Sequence, residues 1–300
     1  MTVTTGSTAT TGSTATTGTT AATRPAPRTG IRSRSGRVGP GTVLAAFVLL
    51  IVLAWAVAPG LFTSADPLIG KPLDRLQAPG PGHLFGTDHL GRDVWSRVIH
   101  GTRESVVTAA LAVAVAVVAG SLIGTVAGYV GGALDSFLSR LTDVLQSVPG
   151  LLLSVAVVAG LGFGPGKVAV AVGVASVPTF VRVSRNEVLR WRTSAFVEAA
   201  RLSGVGTGRI LARHILPHAV SPLAGLAVLE FGTALLSVSA LSFLGLGAPP
   251  PTPEWGLLVA DGRSYLASAW WLTTLPGLVI AATVISVNHL SRTLTTTTTS

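Results

Sequence analysis

From residue 105 to residue 129 the chain runs without a single charged side chain. A helix rises about 1.5 Å per residue, so a hydrocarbon core of about 30 Å needs roughly 20 apolar residues in succession. Five further apolar runs follow the same rule, at 43–58, 144–161, 168–183, 219–246 and 271–290. Only 11% of the residues are charged, against about 25% in soluble domains. That is too few to cover a water-facing surface, so lipid supplies much of the solvent. The expected fold is all-α and integral to the membrane, with six transmembrane helices. The first run carries Ala56-Val57-Ala58, which imitates a leader-cleavage site. It begins more than forty residues into the chain, and Pro59 would follow the cut, so a retained helix is expected. The fourth run contains Pro178, which neighbouring helices can accommodate.

The formal charge is +9, from 21 basic and 12 acidic residues. In so apolar a chain this is a topology signal, not a nucleic-acid footprint. With the N-terminus inside, fourteen Lys and Arg fall on the inner side and seven on the outer. The split predicts an N-in, C-in orientation and puts the polar 182–218 segment in the cytoplasm. Residues 1–40 open on the repeat TTGSTA, TTGSTA, TTGTTA and continue into five Arg. Such a stretch cannot build a core and is expected to be a disordered basic cytoplasmic tail. Its Arg read as a solvated face or, alternatively, as a patch for anionic membrane lipid. Residues 41–103 hold the first helix and an extracytoplasmic loop. Residues 104–292 hold the remaining membrane domain, and 293–300 a second disordered tail.

The long outer loop ends in FGTDHLGRDVWSRVIHGTRES. Thr87 or Asp88 can cap a short helix there, Asp93 and Arg97 are spaced as an i, i+4 pair, and Gly101 can end it. An amphipathic helix lying in the outer interface is expected. In the second span Gly120, Gly124 and Gly128 recur every fourth residue, which strips one face for close helix approach within the chain or between subunits. Glu230 lies mid-way through the fifth span. A carboxylate there is either a pathway group or is hydrogen-bonded to a neighbour such as Asn288 or a Ser. Asp143, at the inner mouth of the third span, reads as interfacial and is a weaker pathway candidate.

Catalytic and metal chemistry find no constellation. The chain has no Cys, no GxSxG and no HExxH. His214 and His218 are spaced for a metal on a helix, but Pro217 is expected to break that helix and no third ligand is near. GFGPGK at 162–167 fails as a phosphate loop, because Leu161 and Val168 stand where Gly and Ser/Thr are required. No cofactor is expected on this chain, and any ATP is bound by another one.

The segment 198–223, EAARLSGVGTGRILARHILPHAVSPL, has a helix–turn–helix pattern. A short helix ends near Gly204, a Gly-rich turn follows, and a second helix runs to Leu216. Ala199, Ala200 and Gly204 leave a small-residue surface that a partner's groove can close over. This spacing, EAA, three residues, Gly204, then ten to Ile215-Leu216-Pro217, resembles the EAA loop of bacterial ABC importer permeases. FGTDHLGRDVWSRVIHGTRES, LSFLGLGAPPPTPEWG (241–256) and WWLTTLPGLVI (270–280) resemble more narrowly the dipeptide/oligopeptide/nickel permease family, in its "C"-type subunit, over about residues 41–290. The resemblance implies the type I importer permease fold, with Glu198, Ala199, Ala200 and Gly204 in a cytoplasmic coupling helix between helices 4 and 5. Ile215, Leu216 and Pro217 close the loop. It implies as partners a "B"-type permease, two ATPase domains and an extracytoplasmic substrate-binding protein. The chain departs from the family in having Val238 where members have Glu, with Glu230 two turns earlier, and SRTLTTTTTS in place of an acidic-basic tail. The expected function is half of an ATP-driven peptide pathway. Nickel, glutathione or another small solute is the alternative cargo, and a membrane-embedded enzyme or an ATP-independent channel the distant one.

Overall fold

The computed structural model describes residues 39–297, with side chains to residue 292. The tail expected over 1–40 lies, but for its last two residues, outside the described part. Ten α-helices account for most of the described residues, and no strand occurs among them, only two isolated bridges. Five helical stretches are long and apolar enough to cross a membrane, and a bent pair makes a sixth span if taken as one. α1 is Pro40–Val57, α2 Val94–Val130, α5 Pro165–Arg192, α8 Leu216–Phe243 and α10 Trp271–Thr297. α10 therefore runs beyond residue 290 into the segment expected to be a tail. No Gly or Pro stands between Leu290 and Thr297 to stop it.

The third apolar run departs from a single rod. α3 (Gly132–Ser147) and α4 (Gly150–Leu161) meet at 96°. Pro149 sits at the corner. It has no N–H to donate and restricts the residue before it, and Val148 is accordingly extended at φ −89°, ψ 129°. α4 alone, with 12 residues, reaches only about 18 Å.

α2 runs for 37 residues without a stop at Gly101. The outer-loop helix and the second span are thus one element, and no separate interfacial helix forms. Asp93 is its cap, accepting from the Ser96 amide at 2.7 Å. Val94, Val98 and Ile99 are buried in the main core instead of facing lipid. Gly101 serves close approach, since a Cβ there would lie 3.2 Å from the Glu254 amide.

α2 and α5 pack along most of their length, and the three glycines explain how. A Cβ on Gly120 would lie 2.5 Å from Phe180 Cβ. One on Gly124 would lie 2.4 Å from the Val181 carbonyl, and one on Gly128 2.8 Å from that of Arg185. The stripped face meets a helix of the same chain. α5 passes through Pro178 and continues to Arg192, well beyond the apolar run. At its far end Arg192 Nη1 donates to the Gly128 carbonyl at 2.8 Å, satisfying a terminal group of α2. Arg185 forks onto Asp135 of α3, with Nη2 to Oδ2 at 2.7 Å.

Candidate functional site

Beyond the membrane helices, the end of α5 folds back on itself to build a second, small core. Val188, Val197, Ile210 and Ile215 are buried in it. α6 (Ala195–Leu202) and α7 (Thr207–Ile210) pack over this cluster, joined by a tight reversal. The α6 terminus is a Schellman motif: the Val205 amide donates to the Ala200 carbonyl at 3.1 Å, and the Gly204 amide to that of Arg201 at 3.0 Å. Gly204 takes φ +77°, and open space surrounds it. Ala200 and Val205 both rest on the small core, the apolar contact such a motif uses.

The opposite face of the loop is bare. Glu198, Ala199 and Gly204 are exposed, and Leu202 shows 86% of its surface. Ala200 is half-buried. Ile215 is wholly buried in the small core, while Leu216 and Pro217 are exposed at the start of α8. The three loop-closing residues therefore do not share one face.

Pro217 does not break the helix. Residues Leu211–Ile215 form a π turn, and the helical path is continuous from Thr207 to Phe243. The wider turn absorbs the hydrogen bond that Pro217 cannot give. His214 and His218 consequently stay on one helix, where their rings meet Trp191 and Phe196, with His218 stacked on Trp191 at 4.4 Å. They act as ring surfaces beneath the loop. Among the described residues no three His, Cys, Asp or Glu gather as a metal site.

The intramembrane candidates separate. Glu230 is half-buried on α8, with Ser176 of α5 nearby. Asn288 on α10 lies against Gly232 instead, and its buried Oδ1 has no hydrogen-bond partner. Asp143 pairs with Arg182 at 3.1 Å on the surface.

Two polar clusters around the N-terminal end of α2 escaped sequence reasoning. Glu254, fully buried, caps α9 (Trp255–Gly262) by accepting from the Gly256 amide at 3.0 Å and the Leu257 amide at 2.9 Å. Ser105 of α2 donates to it as well, at 3.1 Å, and Trp255 donates to the Val98 carbonyl at 3.0 Å. Burial pushes the Glu254 carboxyl above its usual range, and the donors offset part of that. The signal was present: an acid directly before the apolar run WGLLV is a helix start. The second cluster is Arg97, 1% exposed, between Asp88 and Asp261 at 3.7 Å each. The expected Asp93–Arg97 pair is absent, because Asp93 instead holds His83 at 2.7 Å. Asp88 also ties down the 88–92 turn through the Arg92 amide at 2.9 Å and side chain at 2.7 Å.

The exposed 195–210 loop thus stands on a bundle of helices long and apolar enough to cross a membrane. Residues 120–296 match the family described as "Binding-protein-dependent transport system inner membrane component". The chain belongs to that family. It is 38% identical over 82% of its length, and 79% of the relative's, to the dipeptide transport system permease protein DppC of Alkalihalophilus pseudofirmus. It is 39% identical to the di/tripeptide transport system permease protein DppC of Pseudomonas aeruginosa, covering 81% of this chain and 82% of that one. It is 45% identical over 71% of its length, and 70% of the relative's, to the glutathione transport system permease protein GsiD of Shigella flexneri. Among solved structures the inward-facing MetNI methionine ABC transporter aligns with TM-score 0.51 at 18% identity, covering 66% of this chain and 96% of that chain. The fold is that of a type I ABC importer permease. This family member is therefore a multi-pass inner-membrane permease component and not an enzyme.

Proposed function

We propose that the chain is the "C"-type permease of an ATP-driven peptide importer and that the 195–217 segment is where ATPase subunits dock. The observation that carries this reading is the loop's two-faced construction. A small core packs α6 against the end of α5 and the π turn that leads into α8, while Glu198, Ala199 and Leu202 stay bare. A protein groove closing on that face would find a short helix with small side chains and a polar rim. Movement of such a loop is transmitted to two long helices, which favours rigid-body rocking as the route to alternating access.

The positive-inside count supports N-in, C-in topology, with six spans if the bent α3–α4 pair counts as one. The remaining partners are a "B"-type permease, a second ATPase domain and an extracytoplasmic binding protein, and ATP stays on the ATPases. Relatives that carry di- and tripeptides support a peptide cargo. The GsiD relative, whose cargo glutathione is itself a small peptide derivative, favours a second reading in which the cargo is of that kind.

The Cys-free sequence makes the test direct. A single cysteine replacing Ala199 should crosslink to the co-expressed ATPase and not to the binding protein. Adding Gly204→Asp should abolish that crosslink while the chain still inserts and reaches wild-type levels. A crosslink to the binding protein, or none to the ATPase, rejects the docking assignment.

A further inference from the structure

Glu230 stands midway between Leu216 and Phe243 on α8, the middle of a membrane span. None of the ion pairs among the described residues includes it. An ionised carboxylate at that depth is strongly disfavoured unless a cation or water meets it, and such groups mark pathways.

It does not stand alone. Thr233 and Ser237 follow at i+3 and i+7, which places them on the same face of α8. Across the helix pair, Ser176 and Thr179 are spaced i, i+3 on α5. Thr233 is exposed and the other four are half-buried, so the row opens outward. Residues such as Leu229 and Leu236, which flank it on α8, are exposed and apolar, as lipid-facing positions should be. A row of polar side chains at mid-membrane depth has poor lipid partners but good ones in water or a polar ligand.

We propose that this α5–α8 seam is a mid-membrane recognition site for the free α-ammonium group of the transported peptide. Glu230 is the counter-ion, and the hydroxyls of Ser176 and Thr233 flank it as hydrogen-bonding partners for the adjoining peptide unit. Every unblocked peptide carries this cation whatever its side chains, so the site selects for the class and not for the sequence. The inference rests on the peptide-import reading.

The test uses the complete transporter, with its partner permease and ATPases, in detergent and without binding protein. Binding of radiolabelled alanyl-alanine and of its N-acetylated form is compared. The wild type should prefer the free peptide by about ten- to a hundredfold, the range of one charge-assisted hydrogen bond. Glu230→Gln should erase that preference, and Glu230→Asp should restore part of it. If Glu230→Gln instead disrupts co-purification of the two permeases and Glu230→Asp restores it, the carboxylate pairs with the partner chain and the proposal is overturned. It is also overturned if Glu230→Gln keeps the wild-type preference for the free peptide. Failure of the underlying reading looks different: the wild-type transporter with its binding protein then drives no uptake of either peptide into vesicles.

Discussion

Gly204 is the residue on which the loop geometry depends most directly. At φ +77° an L side chain costs about 1–2 kcal/mol, although no neighbour blocks it. Gly204→Ala should therefore open the α6 terminus without clash. Amide exchange at residues 195–205 should quicken by about tenfold, with the membrane helices unchanged. Glu254 bears on stability of a different kind. Glu254→Ala leaves the Gly256 and Leu257 amides buried without acceptors, and should lower stability by about 2–3 kcal/mol in a detergent melt. Asp261 makes a pH prediction. Burial holds its carboxyl above the usual range, so the folded chain keeps a proton that the unfolded chain has released. Its contribution is greatest below the ordinary Asp pKa and declines as pH rises from there toward the raised value. Asp261→Asn should flatten that decline in melts taken at successive pH values, and a slope unchanged by the substitution would contradict the assignment.

At the scale of elements, the spans were legible because apolar length is a local property of the sequence. Their joints were not. Gly101 reads as a stop signal, yet it lies inside α2 because the Glu254 segment needs room there. Asp93 and Arg97 have ideal spacing for a pair, yet His83, Asp88 and Asp261 claim them from outside the helix. Pro178 and Pro149 look alike in sequence. One is absorbed inside α5 and the other turns the chain by 96°. What separates them is the surroundings: α5 is supported along its length by α2, whereas Val148 and Gly150 are exposed. Spin labels placed on α3 and α4 should accordingly move apart when Pro149→Ala lets the helix run straight. The glycine face gives the opposite lesson, since a doubled GxxxG specified a close approach without naming its partner. Gly124→Leu, driven into the Val181 carbonyl and Ser184, should prevent stable assembly, and Leu at the open Gly277 should not. Yield of folded chain after detergent extraction distinguishes the two.

At the scale of the molecule, the described residues hold a membrane core and a separate small core under the 195–217 loop. The loop's identity as a helix–turn–helix could be read from Glu198, the two alanines and Gly204. Its packing could not, because Trp191, Phe196, His214 and His218 reveal their shared ring cluster only once the π turn keeps both histidines on one helix. That packing matters for the proposed coupling role, since a loosely held loop would dissipate a stroke instead of passing it to the long helices. The most direct measurement follows ATP hydrolysis and peptide uptake together in vesicles holding the complete transporter. With Gly204→Asp in this chain, uptake should fall at least tenfold relative to hydrolysis, or both should fall together because the ATPase no longer docks. Wild-type uptake at wild-type hydrolysis would show that this loop does not couple the two, and the account would fail at its centre.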